Sequence, residues 1–337
     1  MDRSAVPLMF GINFQVNAAI VLMLENIKTL KTLRLEGEED IEMQLEGNNY
    51  ILAQAKAVVK SSTDFGNVRK SFSKALLSLS EAAEHVSGEK SLIVITNSLN
   101  PLKDDELKLI IAGRQTRRKY TELPESSKKI IADILSNNKD IKTPLNLEDL
   151  SIHVLPFETD NDYEKYKIVL DVISDFLGMF DIRFEGLRTK LHDIWSNSVF
   201  DSGTKVNRKI KLTKQDIVWP LIVSVIDKKY LSEESVFCTG LDEADYQDVC
   251  AKYSSIIDSK CERFDFVTRV ITDYENKRSR SMNSIQSFVN NNWEVYRDDF
   301  ESQSLDDNIV ESLIKVTLSN ILLSRRNIDS IKSKVKL

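Results

Sequence analysis

The apolar positions of this chain change period several times, and each change marks an element. Over 13–30 they recur at helical spacing, with Phe14, Ala18, Val21, Leu22 and Leu24 inward and Gly11 suiting the turn just before. From Thr32 to Lys56 the period drops to two. The segment TLRLEGEEDIEMQLEGNNYILAQAK reads as three short strands, and the turn Glu46-Gly47-Asn48-Asn49 folds the third back on the second. Thr63 or Asp64 then N-caps a helix predicted over 65–87, whose Phe72, Leu76, Leu79 and Ala83 form one stripe. Residues 91–96 are a continuous apolar run of the kind buried on both faces of a sheet, reached by a right-handed helical crossover.

Further along, 102–140 reads as helical, and 151–157 reads as one more strand ended by Pro156, with His153 a sheet residue within it. Beyond about 160 the texture is helix after helix. Helices are predicted over 163–180 (Tyr166, Val169, Leu170, Ile173, Phe176, Leu177) and 182–199 (Phe184, Leu187, Leu191, Trp195), then a turn at Asp201-Ser202-Gly203. Thr213 N-caps the next helix, in which Pro220 makes a kink or lies near an early turn. Stripes over 243–337 suggest a bundle whose spacing drifts too far for a heptad coil, and the end, SRRNIDSIKSKVKL, reads either as a frayed tail or as a docking helix. The expected class is α/β, a mixed sheet flanked by helices over 1–160, followed by an all-α domain over 161–337.

Composition narrows the function classes. The chain has 337 residues, 42% hydrophobic and 29% charged, with only 10 glycines and 6 prolines, which suits a globular protein of long helices. A net charge of −6 argues against a generally basic nucleic-acid coat, so DNA contact must come from local patches. Two such patches stand out: Arg114, Arg117, Arg118 and Lys119, and the denser run Lys205, Arg208, Lys209, Lys211 and Lys214. Each reads as a phosphate-backbone contact or as a solvated helix end or loop. Cys238, Cys250 and Cys261 lack the close pairing of a zinc site and read as reduced, partly buried thiols. The opening MDRSAVPLMFGINF has no long apolar run after Arg3, and the expectation is a cytoplasmic chain with no membrane span. No Gly-rich phosphate loop, Gly-x-Ser-x-Gly elbow or His-Glu-x-x-His helix occurs, which disfavours an ATPase or protease activity.

The candidate chemistry lies on the three strands. Alternation points Gln54 and Lys56 the same way, and the hairpin brings them beside Asp40 at the start of the second strand. A carboxylate, an amide oxygen and an ammonium on one sheet face suit a Mg²⁺-dependent phosphodiesterase, with Asp40 and Gln54 as hard oxygen ligands and Lys56 beside the attacking water. Gln54 carries no charge, so a further acid is needed. Glu36 at the end of the first strand and Glu25 on the preceding helix are the candidates, Gln15 shares that helix, and Glu39 is expected to turn to the opposite face.

The order helix, strand, strand with Asp40, strand with Gln54-Ala55-Lys56, helix, strand resembles the PD-(D/E)XK nuclease core in its Asp…Gln-x-Lys variant. With Gly11-Ile12-Asn13-Phe14-Gln15, the LEGEEDIEM segment and Val94-Ile95-Thr96-Asn97, it resembles the nuclease domain of CBASS effectors and related bacterial antiphage proteins, over about the first half of the chain. This resemblance implies a restriction-endonuclease-like core and a metal-dependent DNA endonuclease, using Mg²⁺ or Mn²⁺ on double-stranded DNA. It also implies a later domain that frames the duplex or joins subunits into a homo-oligomer, and a defence-system partner such as an ATPase or sensor. The alternative is a catalytically silent nuclease-fold subunit that binds DNA or scaffolds a HerA-like ATPase.

Overall fold

The structure is a computed structural model that describes residues 5–111, 115–137, 144–157, 161–228, 232–278, 285–300 and 305–337. Contacts divide the chain into two compact units, Met1–Ile217 and Val218–Leu337, so the division falls well after the expected 160. The reason is that the first two helices after 160 pack onto the α/β layer.

The first unit begins with helix α1 (Val6–Glu25), which starts earlier than its periodicity suggested because Pro7 suits a first turn. Strands β1 (Leu30–Leu35), β2 (Ile41–Leu45) and β3 (Tyr50–Lys56) follow as an antiparallel meander, as expected. Asp64 caps α2 (Phe65–His85), accepting the Asn67 amide at 3.1 Å, and β4 (Lys90–Thr96) then lies parallel to β3. The 102–140 segment departs from expectation. It breaks into α3 (Asp105–Ile111), the edge strand β5 (Thr116–Lys119) and α4 (Glu125–Asn137), because Thr116–Lys119 pairs with β6 (Leu150–Val154). Next come α5 (Asp162–Gly178) and α6 (Leu187–Thr204). Asp201, Ser202 and Gly203 are thus helical and not a turn, and a Cβ on Gly203 would lie 3.1 Å from that of Leu35, so glycine lets α6 approach β1 closely. Strand β7 (Leu212–Thr213) closes the other edge of a seven-stranded mixed sheet ordered β5-β6-β4-β3-β2-β1-β7.

Period-two alternation gives this sheet two distinct faces. Leu52, Val94 and Ile152 point into a core with Phe72, Leu76 and Leu79 of α2 and with residues of α3 and α4. On the other face lie α1, α5 and α6. Helix α1 is buried along nearly every position from Val16 to Leu24, because β strands cover one side and α5 and α6 the other. Among the described residues it is also the one helix long and apolar enough to cross a membrane, with a mean hydropathy of 1.6, which the sequence reading did not anticipate.

The second unit is helical. The division falls inside α7 (Lys214–Asp227), and Thr213 caps that helix as expected, its hydroxyl accepting the Asp216 amide at 3.2 Å. Helices α8 (Glu233–Thr239), α9 (Glu243–Cys261), α10 (Phe264–Arg278) and α11 (Ile285–Asn292) surround α12 (Asp307–Val335). The C-terminal stretch is not frayed: it forms the last turns of α12, with Ile328, Ile331 and Val335 fully buried. Cys238, Cys250 and Cys261 are buried thiols that form no disulfide, and burial pushes the Cys250 thiol up to about 11.

Leu79→Ala, which empties a fully buried position under the sheet, should lower the stability of the first unit by about 3 kcal/mol, read from its urea-unfolding midpoint.

Candidate functional site

The site forms where β1 hands over to β2. Residues 36–40 are a tight turn and not strand: Glu36 adopts a left-handed φ of 52°, and the Glu36 and Gly37 amides donate to the Asp40 and Glu39 carbonyls, each at 3.1 Å. Strand alternation therefore begins only at Ile41. Glu39 does not turn to the opposite face as expected; it is buried beside Asp40.

Asp40 anchors the group. Its Oδ2 accepts the Ala55 amide at 3.0 Å and the Lys56 ammonium at 2.9 Å, and its Oδ1 accepts the Gln54 amide nitrogen at 3.2 Å. That nitrogen also reaches Glu39 Oε2 and, at 3.2 Å, the hydroxyl of Ser78 on α2, while Ser78 donates to Glu39 Oε2 at 3.1 Å. Two amide hydrogens thus face three acceptors. On the far side of the same groups, Glu39 Oε1 and Gln54 Oε1 are buried with no partner.

The electrostatics follow from this crowding. Burial pushes the Glu39 carboxyl up to about 7; the bonds from Gln54 and Ser78 pull it down, Asp40 raises it further, and Lys56 lowers it. Glu36, exposed at the rim, is raised by partial burial and by Asp40 and lowered by Lys56. Two carboxylates and an amide oxygen, two of their oxygens unpartnered, are a hard donor set that fits Mg²⁺ or Mn²⁺ completed by water. Among the described residues no three His, Cys, Asp or Glu side chains group tightly enough to hold a metal, so a donor set here would have to include the Gln54 amide oxygen.

Of the predicted site residues, the structure brings together Asp40, Gln54 and Lys56, with Glu36 at the rim. Glu25 is not among them. It sits at the end of α1 on the opposite sheet face, bound to Gln115 at 3.2 Å and near Arg117, and Gln15 shares that helix. Sequence reasoning missed Glu39 and Ser78. The positive φ at Glu36 is what turns Glu39 inward, and Ser78 is a small polar residue inside the Leu76–Leu79 stripe, the one sign it gave in advance.

The basic runs are differently disposed than expected. Arg114 lies outside the described residues. Arg117 is turned inward, donating to Ser91 at 3.1 Å and Ser151 at 3.2 Å, and Arg118 donates to the Ile110 carbonyl at 2.9 Å, which leaves Lys119 exposed. Arg117 also lies opposite His153 in the sheet register, and burial followed by that guanidinium pulls the histidine down to about 3. In the second run Lys211 pairs with Glu42, Arg208 approaches Glu38 at 3.9 Å, and Lys214 donates to the Lys28 carbonyl at 3.0 Å, while Lys205 and Lys209 are exposed. That loop is held by buried Arg34, which donates to the carbonyls of Lys205, Asn207 and Ile210 at 2.9, 3.0 and 3.1 Å. Asn97, just after β4, fixes the chain after β3 by bonding the Val58 amide and carbonyl, both at 3.0 Å.

No protein-family description matches the chain, and no curated protein matches it. Among solved structures it is similar to an Acinetobacter baumannii Cap4 SAVED/CARF-domain containing receptor with the cyclic trinucleotide 2′3′3′-cAAA. The two share 13% identity and a TM-score of 0.34 over 79% of this chain, which spans 60% of that receptor's length.

Because the folded carboxyl of Glu39 is raised from near 4.5 to about 7, it is protonated in the folded chain where the unfolded chain has already lost its proton. Stability in EDTA should therefore fall as pH rises from 4.5 through 7, by at most about 3 kcal/mol, and Glu39→Gln should flatten that slope in thermal unfolding. Arg117→Ala, which strips two serines of their partner, should lower the melting temperature, whereas Lys209→Ala should leave it unchanged.

Proposed function

We propose that the first unit is a divalent-metal-dependent phosphodiesterase acting on DNA, with its reaction centre at Glu39, Asp40, Gln54 and Lys56. The observation that supports this most strongly is the pair of buried, unpartnered oxygens, Glu39 Oε1 and Gln54 Oε1, beside the Asp40–Lys56 ion pair. Buried polar atoms of this kind cost stability unless something binds them, and oxygens select a hard cation.

Asp40, Glu39 and Gln54 would hold Mg²⁺, or Mn²⁺ in its place, which when bound polarises the phosphate and lowers the pKa of a water. Asp40 is kept in orientation by the Ala55 amide. Lys56, its side chain 30% exposed, can meet a substrate while still tethered to Asp40, orienting the nucleophile and offsetting negative charge as it grows on phosphorus oxygens. Glu36, whose carboxyl is raised by partial burial and by Asp40, would take up the proton that the attacking water releases.

A role as an effector of bacterial antiphage defence is part of the same proposal and rests on the resemblance of the LEGEEDIEM, Gln54-Ala55-Lys56 and Val94-Ile95-Thr96-Asn97 segments to CBASS effector nuclease domains. So do a homo-oligomer and a sensor or ATPase partner.

The test is cleavage of plasmid DNA by the purified chain in Mg²⁺, Mn²⁺ or EDTA. Cutting is expected with either metal and not in EDTA, and Lys56→Ala, at a partly exposed side chain, should slow it at least ~100-fold with the circular dichroism spectrum unchanged. A folded wild type that cuts in none of these conditions sinks the nuclease reading and leaves a silent nuclease-fold subunit.

A further inference from the structure

One cluster of exposed positive charge in the first unit lies in neither basic run singled out in the sequence. A cavity of about 640 Å³ opens between the N-terminal half of α2, the loop before α3 and the end of α4, lined by Phe65, Arg69, Lys70, Ser73, Lys103 and Asp133 among others. Arg69, Lys70 and Lys103 are exposed, and among the described residues none of the three is in an ion pair, although Asp133 shares the cavity. Lys103 has a left-handed φ of 55° and holds its ammonium 5.8 Å from the centre of the exposed Phe65 ring. A conformation of this kind persists in a non-glycine residue only where its surroundings enforce it. They do so here: Lys103 donates its amide to the Asn100 carbonyl at 3.2 Å, and buried Asp104 beside it is tied to Ser126 and Ser127 of α4.

Helix α2 links this cavity to the reaction centre. Lys70, Lys74 and Ser78 follow one another at four-residue intervals, which places them on one side of the helix, and Ser78 belongs to the centre. Lys70 and Ser78 are eight residues apart, about 12 Å of helix.

We infer that the cavity takes a backbone phosphate of single-stranded nucleic acid between Arg69, Lys70 and Lys103, with a base against Phe65, and that Lys74 carries the strand on towards Ser78 and Lys56. A base can reach an aromatic ring only when unstacked, which favours a single strand over a duplex. The direction of the strand rests on the reading of the Asp40–Lys56 site as one that acts on phosphodiesters; the binding itself does not.

The test measures fluorescence polarisation of a labelled oligothymidylate with the full chain in EDTA, over a range of salt, beside a duplex of equal length and with thymidine monophosphate as competitor. The single strand should bind more tightly than the duplex. Arg69→Glu with Lys70→Glu should weaken it at least ~10-fold and reduce the salt slope by about 0.7 for each phosphate that the variant no longer neutralises, while Phe65→Ala should weaken it with the slope unchanged. Thymidine monophosphate should compete only at far higher concentration than unlabelled oligothymidylate. The three side chains are exposed, and unaltered thermal unfolding checks that the variants fold. Unchanged affinity and slope in the double variant overturn the inference, as does a duplex that binds as tightly, or a mononucleotide that competes as well as the oligomer. Because EDTA keeps the metal away, these results stand whether or not the chain cuts DNA: tight, cavity-dependent binding by a chain that never cleaves would leave this inference intact and remove only the nuclease reading.

Discussion

The bond from the Ala55 amide to the Asp40 carboxylate is the contact on which the arrangement at this end of the sheet depends. The last backbone pair between β2 and β3 is Ile41 with Ala53, and one rung further out a side chain completes the ladder in place of a strand. A hydrogen bond to a charged acceptor is worth about 1.5–3 kcal/mol, enough to hold the carboxylate in one orientation. With Asp40 fixed, Lys56 finds its counter-ion and Gln54 its acceptor, and Glu39, one residue earlier, is carried into a space it would otherwise avoid.

The two faces of the sheet carry different polar arrangements. On the α2 face, polar groups crowd at the strand ends and apolar residues fill the middle. On the α1 face one chain of polar groups is closed: His192 bonds Asn17 at 2.9 Å, Asn17 donates to Asn13 at 2.7 Å, and Asn13 donates to the Tyr166 hydroxyl at 3.0 Å. Aromatic rings of Phe10, Phe14 and Phe157 pack against one another beside this chain of bonds. A closed network of this kind stabilises a unique packing, whereas the network at Asp40 leaves Glu39 Oε1 and Gln54 Oε1 without a partner.

Much of this was legible from the sequence because the period of the apolar positions is a local property. The meander, the capped helix at Asp64 and the buried strand before Asn97 follow directly from it, as does the grouping of Asp40, Gln54 and Lys56. What escaped was set by tertiary contacts. Thr116–Lys119 is strand because β6 offers it an edge, against a local pattern of charged residues that suits a helix end. Glu39 points inward because a five-residue turn resets the alternation, and Glu25 is lost to the site because a helix that crosses the sheet ends on its far side. The helices after 160 look like a new domain in sequence, yet their partners are α1 and β1.

Arg34 grips the loop around 205–210 through three main-chain carbonyls and none of its side chains. The path of that loop is therefore set by its backbone and by Asn207, whose side chain accepts the Lys209 amide at 3.0 Å, and not by the side chains of Lys205 and Lys209. Positions such as Lys205 and Lys209 can be exchanged for neutral or acidic residues over evolutionary time without the loop losing its shape, so the surface potential beside β1 is a property that selection can retune one codon at a time.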